Sequence, residues 1–310
     1  MTAPTPDVHT DATEALLREL LRDQHPDLAE LPLHEVAGGW GNQMWRLGGE
    51  LALRVQRMDT SPAPQLKERH WLPRLAPQLP LPIPVPLRDG APSDRFPKLW
   101  TVVTWIDGTP LDHGGITRTD HAADTLADFL LALHREAPTD APPGEGGFGA
   151  HPADCAPAFE HFLREAAPPA DLTDPIRAVW ADAVAAPAWD RPPVWVHGDL
   201  HPANVLVTDG TLTGIVDFGA LFAGDPASDL AAAWLLLPAD GATRCLARYA
   251  GCAPYDLADS ATVRRARGLA VLKSLFLLSM GRAGDRGLPG GKPHWGPIGL
   301  AALDRVLRWR

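Results

Sequence analysis

Residues 194–219 constrain the chain more than any other stretch. Val196-His197-Gly198-Asp199-Leu200-His201-Pro202-Ala203-Asn204-Val205-Leu206 sets a polar loop between apolar runs, and Ile215-Val216-Asp217-Phe218-Gly219 follows closely. The flanking runs at 194–196, 205–207 and 213–216 read as short strands around that loop. Asp199 and Asn204 stand five residues apart, and Asn204 is one of only two asparagines in 310 residues. The other, Asn42, lies in a Gly-rich segment near the N-terminus. A composition that avoids Asn and keeps it at these two places implies that both amides are needed. A carboxylate such as Asp199 suits removal of a proton from a hydroxyl. Asp217 and Asn204 offer the hard oxygens that Mg²⁺ prefers. Any one of these residues alone could simply stabilise a turn; the ordered set between strands points to chemistry.

The spacing of Asp199 and Asn204 matches the kinase loop His-Arg-Asp-x-x-x-x-Asn, and Asp217-Phe218-Gly219 is a literal Asp-Phe-Gly. The segment His197-Gly198-Asp199-Leu200-His201-Pro202-Ala203-Asn204 resembles the His-Gly-Asp-x-His-x-x-Asn signature of the aminoglycoside phosphotransferase family. Gly224-Asp225-Pro226-Ala227-Ser228-Asp229-Leu230-Ala231 resembles the run that follows the metal motif there. The resemblance extends from about Leu33 to the C-terminus. It implies an α+β, protein-kinase-like two-lobed fold: a small N-terminal antiparallel sheet with one helix, then a larger, mainly helical C-terminal lobe. It also implies Mg²⁺-dependent transfer of the γ-phosphoryl group of ATP or GTP to a small-molecule hydroxyl. Asp199 would be the catalytic base, and Asn204 and Asp217 the metal ligands.

Bulk properties narrow the class. The chain carries 28 Lys+Arg against 38 Asp+Glu, a net charge of −10, with no basic block, which argues against nucleic-acid binding. The acidic balance suits a cationic substrate and solubility alike. Lysine is nearly replaced by arginine; only Lys67, Lys98, Lys273 and Lys292 occur. Cys155, Cys245 and Cys252 form no Cys-x-x-Cys pair, so a reducing cytoplasm is expected. The polar, Pro-containing start is not expected to be a signal peptide. Leu269–Met280, interrupted by Lys273 and Ser274, reads as a buried helix rather than a membrane span.

Periodicity divides the chain into an N-lobe over 1–106 and a C-lobe over 107–310, with Ile106-Asp107-Gly108-Thr109-Pro110 as a hinge. In the N-lobe a helix opens at Thr10-Asp11 with Glu14 completing a capping box. Strands are expected at 33–36, 43–47 and 51–56, a helix at 65–75, an extended Pro-rich segment at 80–86, and two short strands or one bent strand over 98–106. In the C-lobe, helices are expected near 120–136, 158–166, 173–185, 227–237, 242–249, 261–280 and 298–309. Pro/Gly-rich loops should cover 138–152 and 284–297.

Gly38-Gly39-Trp40-Gly41-Asn42 falls between the first two strands, where kinases place a Gly-rich loop over phosphates; Gly39, Gly41 and Asn42 are the candidate contacts. The third strand should carry a Lys for the phosphates, and Leu51-Ala52-Leu53-Arg54-Val55 carries Arg54 instead. A guanidinium stays cationic and holds phosphate oxygens bidentately, with Glu68 as its helix partner. Thr104 and Ile106, with Val103 and Trp105, are candidates for the nucleotide base.

On the acceptor side, Asp225 and Asp229 are either ligands for a cationic sugar or supports for the catalytic loop, with Asp225 the favoured support. His201 is expected to make a structural hydrogen bond. Trp105, Trp234 and Trp295 are candidate pocket walls, although tryptophan more often belongs to the core. The best reading is an antibiotic kinase acting on an aminoglycoside, macrolide, nucleoside or peptide antibiotic, as monomer or homodimer and without a membrane partner. The alternatives are a primary-metabolite kinase of the choline, sugar or homoserine type, and a non-catalytic nucleotide-binding module suggested by the missing strand Lys. A protein kinase is disfavoured because Phe218-Gly219 runs quickly to Gly224-Asp225, which leaves no room for a long activation segment.

Overall fold

A computed structural model describes residues 11–36, 38, 41–57, 61–253 and 257–309. The chain divides into two compact units, 1–77 with 83–106, and 78–82 with 107–310.

In the first unit, α1 (Glu14–Gln24) is capped by Thr13, whose hydroxyl accepts the Leu16 N–H at 3.3 Å. The expected cap one turn earlier is not used. Thr10 lies outside the described residues, and Asp11 pairs with Arg57 at 3.0 Å. The reason is tertiary: the Gln43 carboxamide accepts from Ala12 N at 2.9 Å and donates to Ala12 O at 3.1 Å. Those two bonds use the backbone groups of Ala12 and delay the helix to Thr13.

The sheet consists of β1 (Leu33–Val36), β2 (Asn42–Leu47), β3 (Leu51–Gln56), β4 (Pro86–Gly90) and β5 (Trp100–Thr104), antiparallel throughout, in the order β1-β2-β3-β5-β4. β2 alternates buried and half-buried residues, as a strand with one covered face must. Trp45, Leu47, Leu53, Val55, Trp100 and Val102 form a core with Leu17, Leu20 and Leu21 of α1. α2 (Ala63–Leu75) buries Glu68, Trp71, Leu72 and Leu75. Residues 98–106 hold one strand, β5. β4 was not anticipated; its proline is its first residue and it lies at the sheet edge, where a missing N–H is tolerated.

The second unit continues with β6 (Thr109–Pro110), α3 (Thr119–Leu133), α4 (Ala156–Ala166), α5 (Ala170–Val184), β7 (Val194–Val196), β8 (Val205–Thr208), β9 (Thr211–Ile215) and β10 (Phe222–Gly224). Then come α6 (Ala227–Leu230), α7 (Ala232–Leu236), α8 (Ala239–Cys252), α9 (Ser260–Asp285) and α10 (Trp295–Arg308). β8 pairs with β6 and β9, and β7 pairs with β10. α9 is the spine, packed on α4, α5, α6 and α10. Its approach to α10 is close enough that a Cβ on Gly281 would lie 2.3 Å from Gly296 Cα.

Several helical expectations change: the helix expected over 242–249 spans Ala239–Cys252, and that expected from 298 starts at Trp295. The helix expected over 227–237 is split at Ala231 into α6 and α7, and the helix expected to end at Met280 runs to Asp285. The short strands β6 and β10 have two and three residues and take their character from pairing rather than from composition. No helix among the described residues is long and apolar enough to cross a membrane.

Candidate active site

In the second unit, β7 leads into the polar loop and β8 leaves it. His197 is fully buried. Its Nε2–H donates to Val216 O at 3.1 Å and its Nδ1 accepts from Asp199 N at 3.2 Å, so the ring is the neutral Nε2–H tautomer. Burial lowers its pKa against the raising effect of Asp229 and Asp199, which agrees with a neutral ring. Gly198 has φ +84°, and a Cβ there would meet the Phe222 ring at 2.9 Å and Ala220 O at 3.0 Å. The Gly of His-Gly-Asp is therefore required by both backbone conformation and space.

Asp229, at 0% exposure, holds this turn. Its Oδ2 accepts from His197 N at 2.7 Å and its Oδ1 from Gly198 N at 2.9 Å. His134 Nε2 stands 3.4 Å from Oδ2, and His134 Nδ1 lies 2.7 Å from the Tyr249 hydroxyl. Burial alone would raise the Asp229 carboxyl, but the His134 hydrogen bond and the His134 and Lys273 charges leave it below its ordinary value. The support assigned to Asp225 thus belongs to Asp229. Asp225 instead forms a bidentate pair with buried Arg265, at 2.7 and 3.2 Å, and caps Ala227 N at 2.9 Å. The two carboxylates stand four residues apart in one short run, and spacing could not tell them apart. The neighbours supplied by α3 and α9 do.

Asp199 keeps 38% of its side chain exposed. Burial pushes its pKa up, and nearby His201 with the Lys273 charge more than offsets this, which leaves it below its ordinary value. His201 Nε2 lies 3.6 Å from Asp199 Oδ2, while its Nδ1 accepts from Ala203 N at 3.2 Å. Asn204 donates from Nδ2 to Asp199 O at 2.9 Å and to Asp199 Oδ2 at 3.3 Å. Both bonds use the amide nitrogen, which leaves the amide oxygen for a cation. Asp217 is exposed and takes a left-handed conformation, φ +62°, ψ 71°. A non-glycine residue held there costs about 1 kcal/mol or more, the kind of strain found at functional positions. Phe218 behind it is fully buried, its ring 4.4 Å from that of His197.

Lys273 of α9 was read only as a break in an apolar helix. It donates from Nζ to Gly198 O at 2.9 Å and Ser228 O at 3.2 Å, tying the loop to the spine helix. Burial lowers its pKa, against Asp199 and Asp229. A signal existed: it is one of four lysines in an arginine-rich chain. Trp234 is fully buried against Trp309 and belongs to the core, whereas Trp295 packs edge-on to His201 at 5.4 Å between ring centroids.

In the first unit, Arg54 on β3 forms an ion pair with Glu68 on α2, the side chains 13% and 4% exposed. With its carboxamide oxygen turned toward the guanidinium, Asn42 accepts from Arg54 Nε at 3.1 Å and from a terminal nitrogen at 3.0 Å. Asn42, Arg54 and Glu68 therefore form one polar group. Gly41 has open space where a Cβ would be, and its carbonyl accepts from Arg57 N at 2.9 Å. Gly39 lies outside the described residues. The Thr104 amide donates to Val85 O at 3.0 Å, and its hydroxyl accepts from Val85 N at 2.9 Å. Trp105 N donates to Glu50 O at 2.8 Å, and Arg46 lies 4.9 Å over the Trp105 ring. Among the described residues, the amides of Thr104 and Trp105 make backbone bonds of this kind and that of Ile106 makes none.

A sequence profile of the phosphotransferase enzyme family, APH, matches residues 32–258. The chain belongs to that family and is a phosphotransferase. Its fold is similar to solved antibiotic phosphotransferases. The GDP complex of aminoglycoside 2'-phosphotransferase-IIIa aligns with TM-score 0.68 and 19% identity over 96% of this chain and 99% of that one. The macrolide 2'-phosphotransferase MphH from Brachybacterium faecium aligns with TM-score 0.58 and 22% identity, covering 94% and 98%. A thermostable mutant of APH(4)-Ia, in complex with AMP-PNP and hygromycin B, aligns with TM-score 0.58 and 16% identity, also covering 94% and 98%. No curated protein sequence matches the chain significantly.

Proposed function

We propose that the protein is a Mg²⁺-dependent kinase that moves the γ-phosphoryl group of ATP or GTP to a hydroxyl of an antibiotic, inactivating it. The observation that carries this reading is the ionised Asp199, fixed by Asn204 on one side and by the turn that Asp229 clamps on the other. The named complexes of similar fold, with GDP and with AMP-PNP and hygromycin B, support nucleotide use and an antibiotic acceptor. The net charge of −10 favours a cationic acceptor.

Asp199 accepts a hydrogen bond from the acceptor hydroxyl and orients its oxygen for in-line attack. As the new O–P bond forms and the bond to the leaving nucleotide oxygen breaks, the hydroxyl proton passes to Asp199. A carboxylate held below its usual pKa is a weak base, so this transfer comes late and alignment is the larger effect. Asn204 and Asp217 fit Mg²⁺ because one keeps its amide oxygen for a ligand and the other is an exposed carboxylate. The ion, when bound, neutralises charge on the phosphates. Arg54, aligned by Glu68 and Asn42, would hold phosphate oxygens, and Ile106 would offer its backbone to the base.

The test incubates purified protein, Mg²⁺ and ATP or GTP with aminoglycosides, macrolides, nucleoside and peptide antibiotics and hydroxylated metabolites, read by mass spectrometry. Gain of one phosphoryl group on an antibiotic, absent in Asp199→Ala, is the expected result. Transfer to a metabolite alone would replace the antibiotic reading, and no turnover of either nucleotide would overturn it.

A further inference from the structure

Asp112, His113 and His294 bring one carboxylate and two imidazoles together, away from the residues assigned above to Mg²⁺. Asp112 and His113 lie in the turn after β6; His294 is the residue before α10, 182 positions away from Asp112. Their ligand atoms all lie within 4.8 Å of one another. His294 Nε2 stands 3.1 Å and His113 Nε2 3.9 Å from Asp112 Oδ2, and the two imidazole centroids are 4.5 Å apart.

A second observation concerns Asp112 itself. Its side chain is only 3% exposed. Oδ2 accepts from Trp295 Nε1 at 2.8 Å, yet Oδ1 is buried and accepts no hydrogen bond among the described residues. A buried carboxylate oxygen left in this state is costly and calls for a partner.

We propose that Asp112, His113 and His294 form a binding site for a divalent transition-metal cation of the zinc class. Zn²⁺ takes imidazole nitrogen at about 2.0–2.1 Å and carboxylate oxygen at about 2.0–2.2 Å, and tetrahedral geometry then sets ligand atoms roughly 3.3 Å apart. The 3.1 and 3.9 Å separations bracket that value. The His113 side chain is 61% exposed and can rotate inward, so closure needs side-chain movement alone. Two nitrogen donors suit zinc-class ions and not Mg²⁺, which separates this site from the oxygen donors Asn204 and Asp217. The Trp295 indole, donating to the carboxylate, supplies the outer hydrogen bond that orients metal ligands. Three protein ligands leave one position for water or a ligand group. The ion would clamp the β6 turn to the start of α10 and fix Trp295, whose ring packs on His201 beside Asp199.

The experiment uses chelator-treated full-length protein titrated with zinc chloride, with bound metal counted by mass spectrometry after gel filtration. Cobalt(II) absorption serves as a reporter of tetrahedral geometry. The expected result is one equivalent, undisturbed by excess Mg²⁺, with affinity lowered at least ~10–100-fold in His113→Ala/His294→Ala. His113 is exposed and His294 partly so, and circular dichroism of the apo variant checks that the fold is kept. Cys252→Ala removes the exposed thiol and should retain the equivalent. Zinc bound equally by the double variant, lost on Cys252→Ala, or not bound by wild type would each overturn the site.

Discussion

Asp229 accepts the backbone N–H groups of His197 and Gly198 on separate oxygens, at 2.7 and 2.9 Å, from a fully buried position on α6. One fully buried carboxylate thus sets the direction in which the chain leaves β7 toward Asp199. Asp229→Asn places an NH₂ against one of two N–H donors. Loss of about 1–3 kcal/mol of stability is expected, with kcat falling more than the acceptor KM rises. Denaturant unfolding and steady-state kinetics read the two effects.

The same carboxylate gives a pH signature. Its folded pKa lies below the ordinary value, so the unfolded chain binds the proton more readily. Its stabilisation is complete above the ordinary carboxylate range, about pH 4, and is lost as pH falls through the folded pKa. Below about pH 4, unfolding free energies of wild type should fall more steeply with acid than those of Asp229→Asn; parallel curves would assign the acid sensitivity to other groups.

Gly198→Ala should be damaging despite its size. Positive φ and the 2.9 Å approach to Phe222 act together, for a loss of about 1–3 kcal/mol. Thermal melting and kcat would report it, and the nucleotide dissociation constant should hardly move.

Arg54 and Glu68 should behave as a unit. Removing either partner disturbs a pair with 13% and 4% exposed side chains, so Arg54→Ala and Glu68→Ala should each destabilise by several kcal/mol, on the order of 3–5 for a fully buried pair. Arg54→Lys keeps the charge and should restore most stability, with a higher KM for nucleotide because the bidentate fork is gone. A double-mutant cycle with near-zero coupling would remove the pairing.

Lys273→Met keeps the bulk of a partly buried side chain but leaves Gly198 O and Ser228 O without the ammonium. A fall in kcat on the order of 10-fold is expected, with rescue by Lys273→Arg incomplete because the guanidinium is larger. Single-turnover kinetics separate this from changed nucleotide affinity.

Local patterns carried much of this molecule. The three strands at 33–56 are legible as short segments set between Gly-rich turns, and the Asp199–Asn204 contact joins residues five apart, so motif spacing alone made it legible. The N-terminal cap failed for a non-local reason, since Gln43 on β2 takes both backbone groups of Ala12. The support expected of Asp225 falls to Asp229 because both fit the same local run.

What the sequence by itself determined is the polar loop, its carboxylate and amide side chains and the glycine its turn needs, because each depends on neighbours within a few residues. Tertiary structure alone decided that Asp229 clamps the turn, that Lys273 bonds Gly198 across 75 positions, and that His294 meets Asp112 across 182. Hydrogen bonds act over about 3 Å of space whatever their separation along the chain, so only the packed helices bring those partners within reach.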